Sequence, residues 1–280
     1  MENLLDTFTQ LWVRSTGRRI DISEDRWLDG PIGQPNLIAD QFFRILAEQK
    51  GYTIEENSQG SGLIQNIEEM GISSEDLKLL NDKIIDFYVH TTQYSFEVWS
   101  EWKGIFRPFG WLLSVLFSKR LQQLNLPLNP LDSAKGLDSK IVQLKQNESI
   151  VWTIWFRVLK ATNRVIYSGV YTTCLPSGAQ NRHLKVIFPL PNGNATVVMK
   201  ASVLVDGSLL LASEGRRFGE SGFYLNYTKK GKHWTKRVRA MHEWLHVYVD
   251  SENYLRADHN LNFYGIRFLN LHYKMNKKPN

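Results

Sequence analysis

His242-Glu243-Trp244-Leu245-His246-Val247-Tyr248-Val249 runs into the polar stretch Asp250-Ser251-Glu252-Asn253 and then into Tyr254-Leu255-Arg256-Ala257-Asp258-His259-Asn260-Leu261-Asn262-Phe263. Leu245, Val247 and Val249 alternate with His246, Tyr248 and Asp250, which is the period of a strand with one buried face. Val247, Tyr248 and Val249 add the β-branched and aromatic character that suits a pleated surface. The polar stretch reads as a hairpin loop. The segment after it alternates again, and residues 266–273 supply another strand. The pattern predicts antiparallel strands that finish a sheet.

The same residues spell H-E-x-x-H, and Trp234, Val238, Met241, Leu245 and Tyr248 fall at helical spacing, so a helix over residues 234–248 competes. On a helix, His242 and His246 would share one face and hold zinc, with Glu243 as base for the metal-bound water. The function implied is a zinc-dependent hydrolase, its third ligand drawn from Glu252, Asp258 or His259. In the metzincin pattern that ligand lies six residues after the second histidine, where Glu252 stands, but Val249 occupies the place of the pattern's turn glycine. On a strand, Glu243 points away from both histidines and the chemistry is lost. A four-residue loop would pair Val249 with Tyr254 and set His259 opposite Trp244. His242, His246 and His259 would then share a face as an alternative metal constellation.

Outward from this stretch, the period is 2 from about Lys140 onwards. Ile150, Trp152, Ile154, Phe156 and Val158 alternate with Val151, Thr153, Trp155 and Arg157. Residues 165–174, 184–188, 195–205, 208–212 and 222–227 follow, with Asp206-Gly207 as a two-residue hairpin signal. Roughly eight to ten strands without intervening helices predict an antiparallel meander, either a strongly curved sheet or a barrel.

Residues 1–139 read as helical instead. Leu4, Leu5, Phe8, Leu11 and Trp12 keep helical spacing, and a second helix starts near Asn36 with Ile38, Phe42, Ile45 and Leu46 on one side. A long third helix begins at Ser73 and Ser74, carries Leu77, Leu80, Ile84, Phe87, Tyr88, Thr91 and Tyr94, and extends towards Trp99 and Trp102. A fourth covers residues 109–117 and 121–124 before Pro127 and Pro130. The fold class expected is α+β: a helical region over 1–139 that does not fold alone, packed on a β region over 140–280 as one integrated domain.

Apolar content of 42% and charged content of 22% exclude a mainly disordered chain. The lone Cys174 follows a strand pattern and reads as a buried thiol in a reducing, cytoplasmic setting. No run reaches the ~18 apolar residues of a membrane span, and the N-terminus lacks the pattern of a secretion signal. The first functional expectation is therefore a soluble, non-catalytic protein that binds an apolar small molecule or lipid inside a curved sheet. Its wall would comprise Trp152, Ile154, Phe156, Tyr167 and Tyr171. A second is an interaction protein. Lys229, Lys230, Lys232, Lys236, Arg237 and Arg239 enclose His233 and Trp234, a pattern suited to a nucleic acid, an anionic membrane surface or an acidic protein. Residues 215–219 resemble a short anion loop, but no phosphate-binding Gly-Lys-Ser/Thr motif, dinucleotide fingerprint or Gly-x-Ser-x-Gly elbow occurs.

Overall fold

The structure, a computed structural model, describes residues 4–33, 41–103, 137–160 and 164–279. The expected start of the second helix and the whole of the fourth lie outside the described residues. Four α-helices occur among the rest: α1 (Leu4–Thr16), α2 (Gln41–Lys50), α3 (Ser74–Leu77) and α4 (Asp82–Val89). The strands are β1 (Arg18–Ile20), β2 (Thr53–Glu56), β3 (Tyr94–Trp102), β4 (Leu137–Gln146), β5 (Ser149–Leu159), β6 (Arg164–Cys174) and β7 (His183–Leu190). They continue with β8 (Gly193–Val203), β9 (Leu209–Ala212), β10 (Gly222–Lys229), β11 (Lys232–Arg237), β12 (Met241–Val249), β13 (Leu255–Phe263) and β14 (Ile266–Lys277). The architecture is α+β, dominated by antiparallel sheet.

The main path runs β2-β4-β5-β6-β7-β8-β9-β12-β13-β14-β3. Among the described residues no hydrogen-bonded pairing joins β3 back to β2 or β4, so the sheet is not a closed barrel. Strand β8 is the fork. One edge pairs with β7, while the other pairs with β10 over its first half and with β9 over its second. The β10–β11 hairpin and β1 leave the main path there. The tight β8–β9 turn needs its glycine. Gly207 has φ 79, and a Cβ added to it would lie 2.7 Å from the Leu79 carbonyl oxygen.

The long third helix expected from residue 73 is not continuous. Ser73 caps α3, and the Asn81 side chain accepts from the Lys83 amide to start α4 afresh. The Thr91 hydroxyl donates to the Phe87 carbonyl at 2.6 Å as α4 gives out. Residues 94–102 then alternate as a strand, with Tyr94, Phe96 and Val98 buried and Ser95, Glu97 and Trp99 exposed. β3 pairs with β14 and ends the main path, so strands from both parts of the chain share one sheet.

Strands β4 to β8 are covered on both faces. Phe42, Phe43 and Ala47 of α2 pack on Val142, Leu144, Ile154, Val170 and Ile187. The other face joins the main core with Ile141, Trp155, Val186, Val197 and Met199. Such double burial leaves β7 and the first part of β8 almost continuously buried, with Lys185, Asn194 and Thr196 among the buried side chains. A smaller cluster of Trp27, Leu28, Val198 and Tyr224 encloses Cys174, and burial pushes its thiol up to about 11.

Candidate functional site: an apolar cavity with a buried polar pair

On the inner face lies a cavity of about 320 Å³. It is lined from both ends of the strand path, by Phe96 of β3, Trp155 of β5, Val197 of β8, Val247 of β12, Ala257 of β13 and Leu271 of β14, with Phe87 and Tyr88 of α4 beside them. The aromatic wall is held edge to face. Phe87 and Phe96 have centroids 5.8 Å apart, Phe96 and Trp155 5.1 Å, and Trp155 and Tyr171 5.6 Å. The Trp155 indole N–H finds the Ser139 hydroxyl at 2.7 Å, so the ring presents its apolar part to the cavity without leaving its donor unmet.

Among the described residues, one basic, one acidic and one imidazole side chain line this apolar space: Arg157, Glu243 and His259. The Arg157 guanidinium lies over the Trp155 ring with its Cζ 4.1 Å from the centroid, and 5.7 Å from that of Tyr273. His259 Nε2 donates to Glu243 Oε2 at 2.9 Å. Register explains this pair. Glu243 stands opposite Leu261 and His259 opposite Leu245, so the two are diagonal neighbours on one face of β12–β13.

This register corrects the loop expectation. Val249 pairs with Leu255, not Tyr254, and the Asp250 amide donates to the Tyr254 carbonyl. The loop is the three residues 251–253, with a turn closed by the Asn253 amide on the Asp250 carbonyl and Asn253 left-handed at φ 67. The one-residue shift turns His259 inward, away from His242 and His246. The latter two sit on the outer face. His242 Nδ1 donates to the Ser213 carbonyl at 3.2 Å, and His246 shares a 2.8 Å hydrogen bond with the Ser208 hydroxyl while stacking on Tyr248.

Residues 241–249 are therefore a strand, and the helical arrangement required by the zinc reading is absent. Glu243 faces the cavity and both flanking histidines face away from it. Of the third-ligand candidates, Asp258 is on the outer face, where His272 Nδ1 donates to it at 2.7 Å, and Glu252 is exposed in the loop. No group of three or more His, Cys, Asp or Glu side chains able to hold a metal ion occurs among the described residues.

The wall candidates divide. Tyr171 lines the cavity, whereas Trp152 and Ile154 belong to the cluster under α2. Phe156 alternates with Trp155 and Arg157 and is half-buried. Tyr167 pairs with Arg157, and its side chain lies outside what the structure describes. The even-numbered residues of β5 are its most apolar face, but the odd-numbered Trp155 and Arg157 reach the cavity. Both sides of the strand are covered, so its apolar pattern cannot select between them.

The basic candidates also separate. Lys229, Lys230 and Lys232 are exposed around the β10–β11 turn, and Arg239 is exposed beyond β11. Lys236 Nζ instead donates to the Thr16 carbonyl at 2.9 Å, and Arg237 Nη1 to the Arg216 carbonyl at 3.0 Å. These two tie α1 and the 215–219 segment to the hairpin.

No helix among the described residues is long and apolar enough to cross a membrane. No family model matches the chain, and no solved structure matches it. The chain is similar to a protein of Bacillus subtilis (strain 168) named "Uncharacterized membrane protein YndJ", with 27% identity over 228 residues that cover 79% of this chain and 39% of that relative's length.

Proposed function

We propose that this protein is non-catalytic and holds an apolar small molecule or lipid in the cavity of its curved sheet. The observation that carries the reading is the cavity itself, whose volume of about 320 Å³ falls at the lower end of small-molecule sites, roughly 300–1,000 Å³. Its walls are apolar and aromatic, with Arg157, Glu243 and His259 as basic, acidic and imidazole exceptions among the described residues. Such a lining favours an amphiphile whose chain lies among Phe96, Val197 and Leu271 and whose polar end reaches the buried ionisable groups. The curvature belongs to the same proposal. Phe96, on the strand that ends the path, touches Trp155 near its beginning, which supports a sheet curled around its ligand.

Location is part of the proposal too. A cytoplasmic setting suits the buried lone thiol of Cys174. The relative's name places that protein at a membrane, a setting rich in the proposed ligand class.

Native mass spectrometry of freshly purified protein tests the reading. The expected result is a retained mass of a few hundred daltons that is lost on organic extraction, and saturable displacement of a fluorescent apolar probe from the extracted protein. Absence of both a retained mass and saturable probe binding overturns it.

A further inference from the structure

Away from the cavity, α1 turns one side to the sheet and an apolar side to solvent. Val13 is buried, with Thr9 and Gln10 half-buried on the same side, where the helix lies on β10 and β11. The opposite side carries Phe8, Leu11 and Trp12, which are 70%, 59% and 36% exposed. Spacings of three and four put these three on one helix face. A surface helix that already buries one stripe ordinarily turns polar residues to water on the other. A stripe of large apolar side chains on the solvent side marks a contact surface instead.

Cations lie on the sheet beside the helix that carries that stripe. Alternation along β11 puts Lys232, Trp234 and Lys236 on one side, and register adds Lys229 opposite Lys232 and Arg19 opposite Trp234. The helix lies on this same side. Arg14 Cζ is 5.8 Å from the Trp234 centroid, and Lys236 Nζ is 5.7 Å from the Trp12 centroid. Arg14, Arg19, Lys229 and Lys232 are exposed. At the rim, a solvent-open hollow of about 480 Å³ is bounded by Arg19, Asp21, Lys232 and His233 among others. Its acidic member, Asp21, accepts from the hydroxyl and amide of Ser23 at 2.7 and 2.9 Å.

We propose that this surface docks on an anionic phospholipid bilayer. Phe8, Leu11 and Trp12 enter the interfacial layer while Arg14, Arg19, Lys229 and Lys232 face headgroup phosphates. An apolar helix stripe bordered by cations matches the layered chemistry of that interface, hydrocarbon beneath negative charge. A nucleic acid fits less well, because Leu11 offers no stacking plane between the two aromatic rings. A second copy of the chain would set the same cations against one another. The inference is independent of what the cavity holds.

Flotation of the full chain with phosphatidylcholine vesicles, with and without phosphatidylglycerol, tests it. Binding to the anionic vesicles should exceed binding to the neutral ones by about tenfold or more and fall steeply with added salt. Phe8→Ser/Leu11→Ser/Trp12→Ser and Lys229→Glu/Lys232→Glu each reduce it by about tenfold or more. All these side chains except the half-shielded Trp12 are well exposed, so circular dichroism and the thermal midpoint should match the parent, and Phe8→Ser/Leu11→Ser alone should already weaken binding. Equal binding to both vesicle types, no binding at low salt, or binding indifferent to the charge reversal overturns the proposal. So does a concentration-dependent dimer in sedimentation that the triple serine variant abolishes, because the stripe then serves a second copy.

Discussion

His259 reaches Glu243 at 2.9 Å on the inner face of the sheet, while His242 and His246, the nearest histidines to Glu243 in sequence, bond to Ser213 and Ser208 on the outer face. Glu243 is 7% exposed and borders an apolar cavity, so its carboxyl relies on His259 for the partner that water would otherwise supply. His259→Leu removes that partner and leaves the carboxyl buried without it. The expected loss is about 2–4 kcal/mol. Glu243→Leu/His259→Leu replaces both ends by apolar groups facing an apolar space and should recover most of the loss. Urea unfolding of the single and double variants checks this, and a double variant no more stable than the single one would remove the pair from the account of the cavity.

Much of the fold could be read in period alone. The change at Lys140, the alternation in β12 and β13 and the Asp206-Gly207 turn all correspond to observed strands and turns. What could not be read has two physical causes. In residues 94–102 the alternation was present, but Tyr88, Thr91 and Tyr94 continue a helical spacing across the end of α4 and obscured it. In β5 both faces are apolar because α2 covers one and the cavity core the other, so no periodicity marks the inward face. The site is harder still. Its lining comes from most of the strands, and the inward turn of His259 depends on one left-handed residue in a hairpin loop.

The two faces of the sheet, sampled at Ile154 of β5 and Ala257 of β13, should respond differently to substitution. Ile154 is fully buried under α2, so Ile154→Ala opens a void there and costs about 2–4 kcal/mol, without changing probe affinity in the cavity. Ala257 lines the cavity itself, and Ala257→Leu grows into existing space. It should change stability by less than about 1.5 kcal/mol while weakening probe binding, because the added side chain occupies ligand volume. Thermal midpoints and probe titrations on both variants separate the faces. A loss of binding in Ile154→Ala equal to that in Ala257→Leu would place the ligand elsewhere.

Asp86 should control the acid limit of stability. Its carboxylate accepts from the Tyr94 hydroxyl at 2.6 Å, Lys277 Nζ at 2.7 Å and His90 Nδ1 at 2.9 Å, tying α4 to β3 and to the end of β14. Burial pushes this carboxyl up, but the hydrogen bonds from Lys277, Tyr94 and His90 outweigh it and hold it down at about 2, against an ordinary 3.8. A depressed folded value stabilises the protein above the unfolded value and is lost as pH falls from 3.8 through about 2. Because Lys277 is half-exposed, the contribution at neutral pH is discounted to about 1–2 kcal/mol. Asp86→Asn should lose that amount at neutral pH and roughly half of it near pH 3. Urea midpoints at the two pH values check the trend, and a deficit independent of pH would assign the loss to packing.

The loop that turns His259 inward offers the most direct test of the register. Asn253 closes the three-residue turn at φ 67, a conformation that costs a side chain with a Cβ about 1–2 kcal/mol and costs glycine almost nothing. Asparagine tolerates it better than most residues, and here its side-chain and main-chain oxygens also accept from Lys83 Nζ at 2.6 and 2.7 Å. Asn253→Gly keeps the main-chain contact and the turn, so its stability should stay within about 0.5 kcal/mol of the parent. Asn253→Val cannot take the turn without strain and should lose about 1–2 kcal/mol. Because the same turn sets His259 against Leu245, the valine variant should also loosen the Glu243–His259 contact, visible as a changed His259 ring resonance in NMR spectra. A four-residue loop without a left-handed residue at 253 predicts the opposite order, with valine tolerated and glycine destabilising.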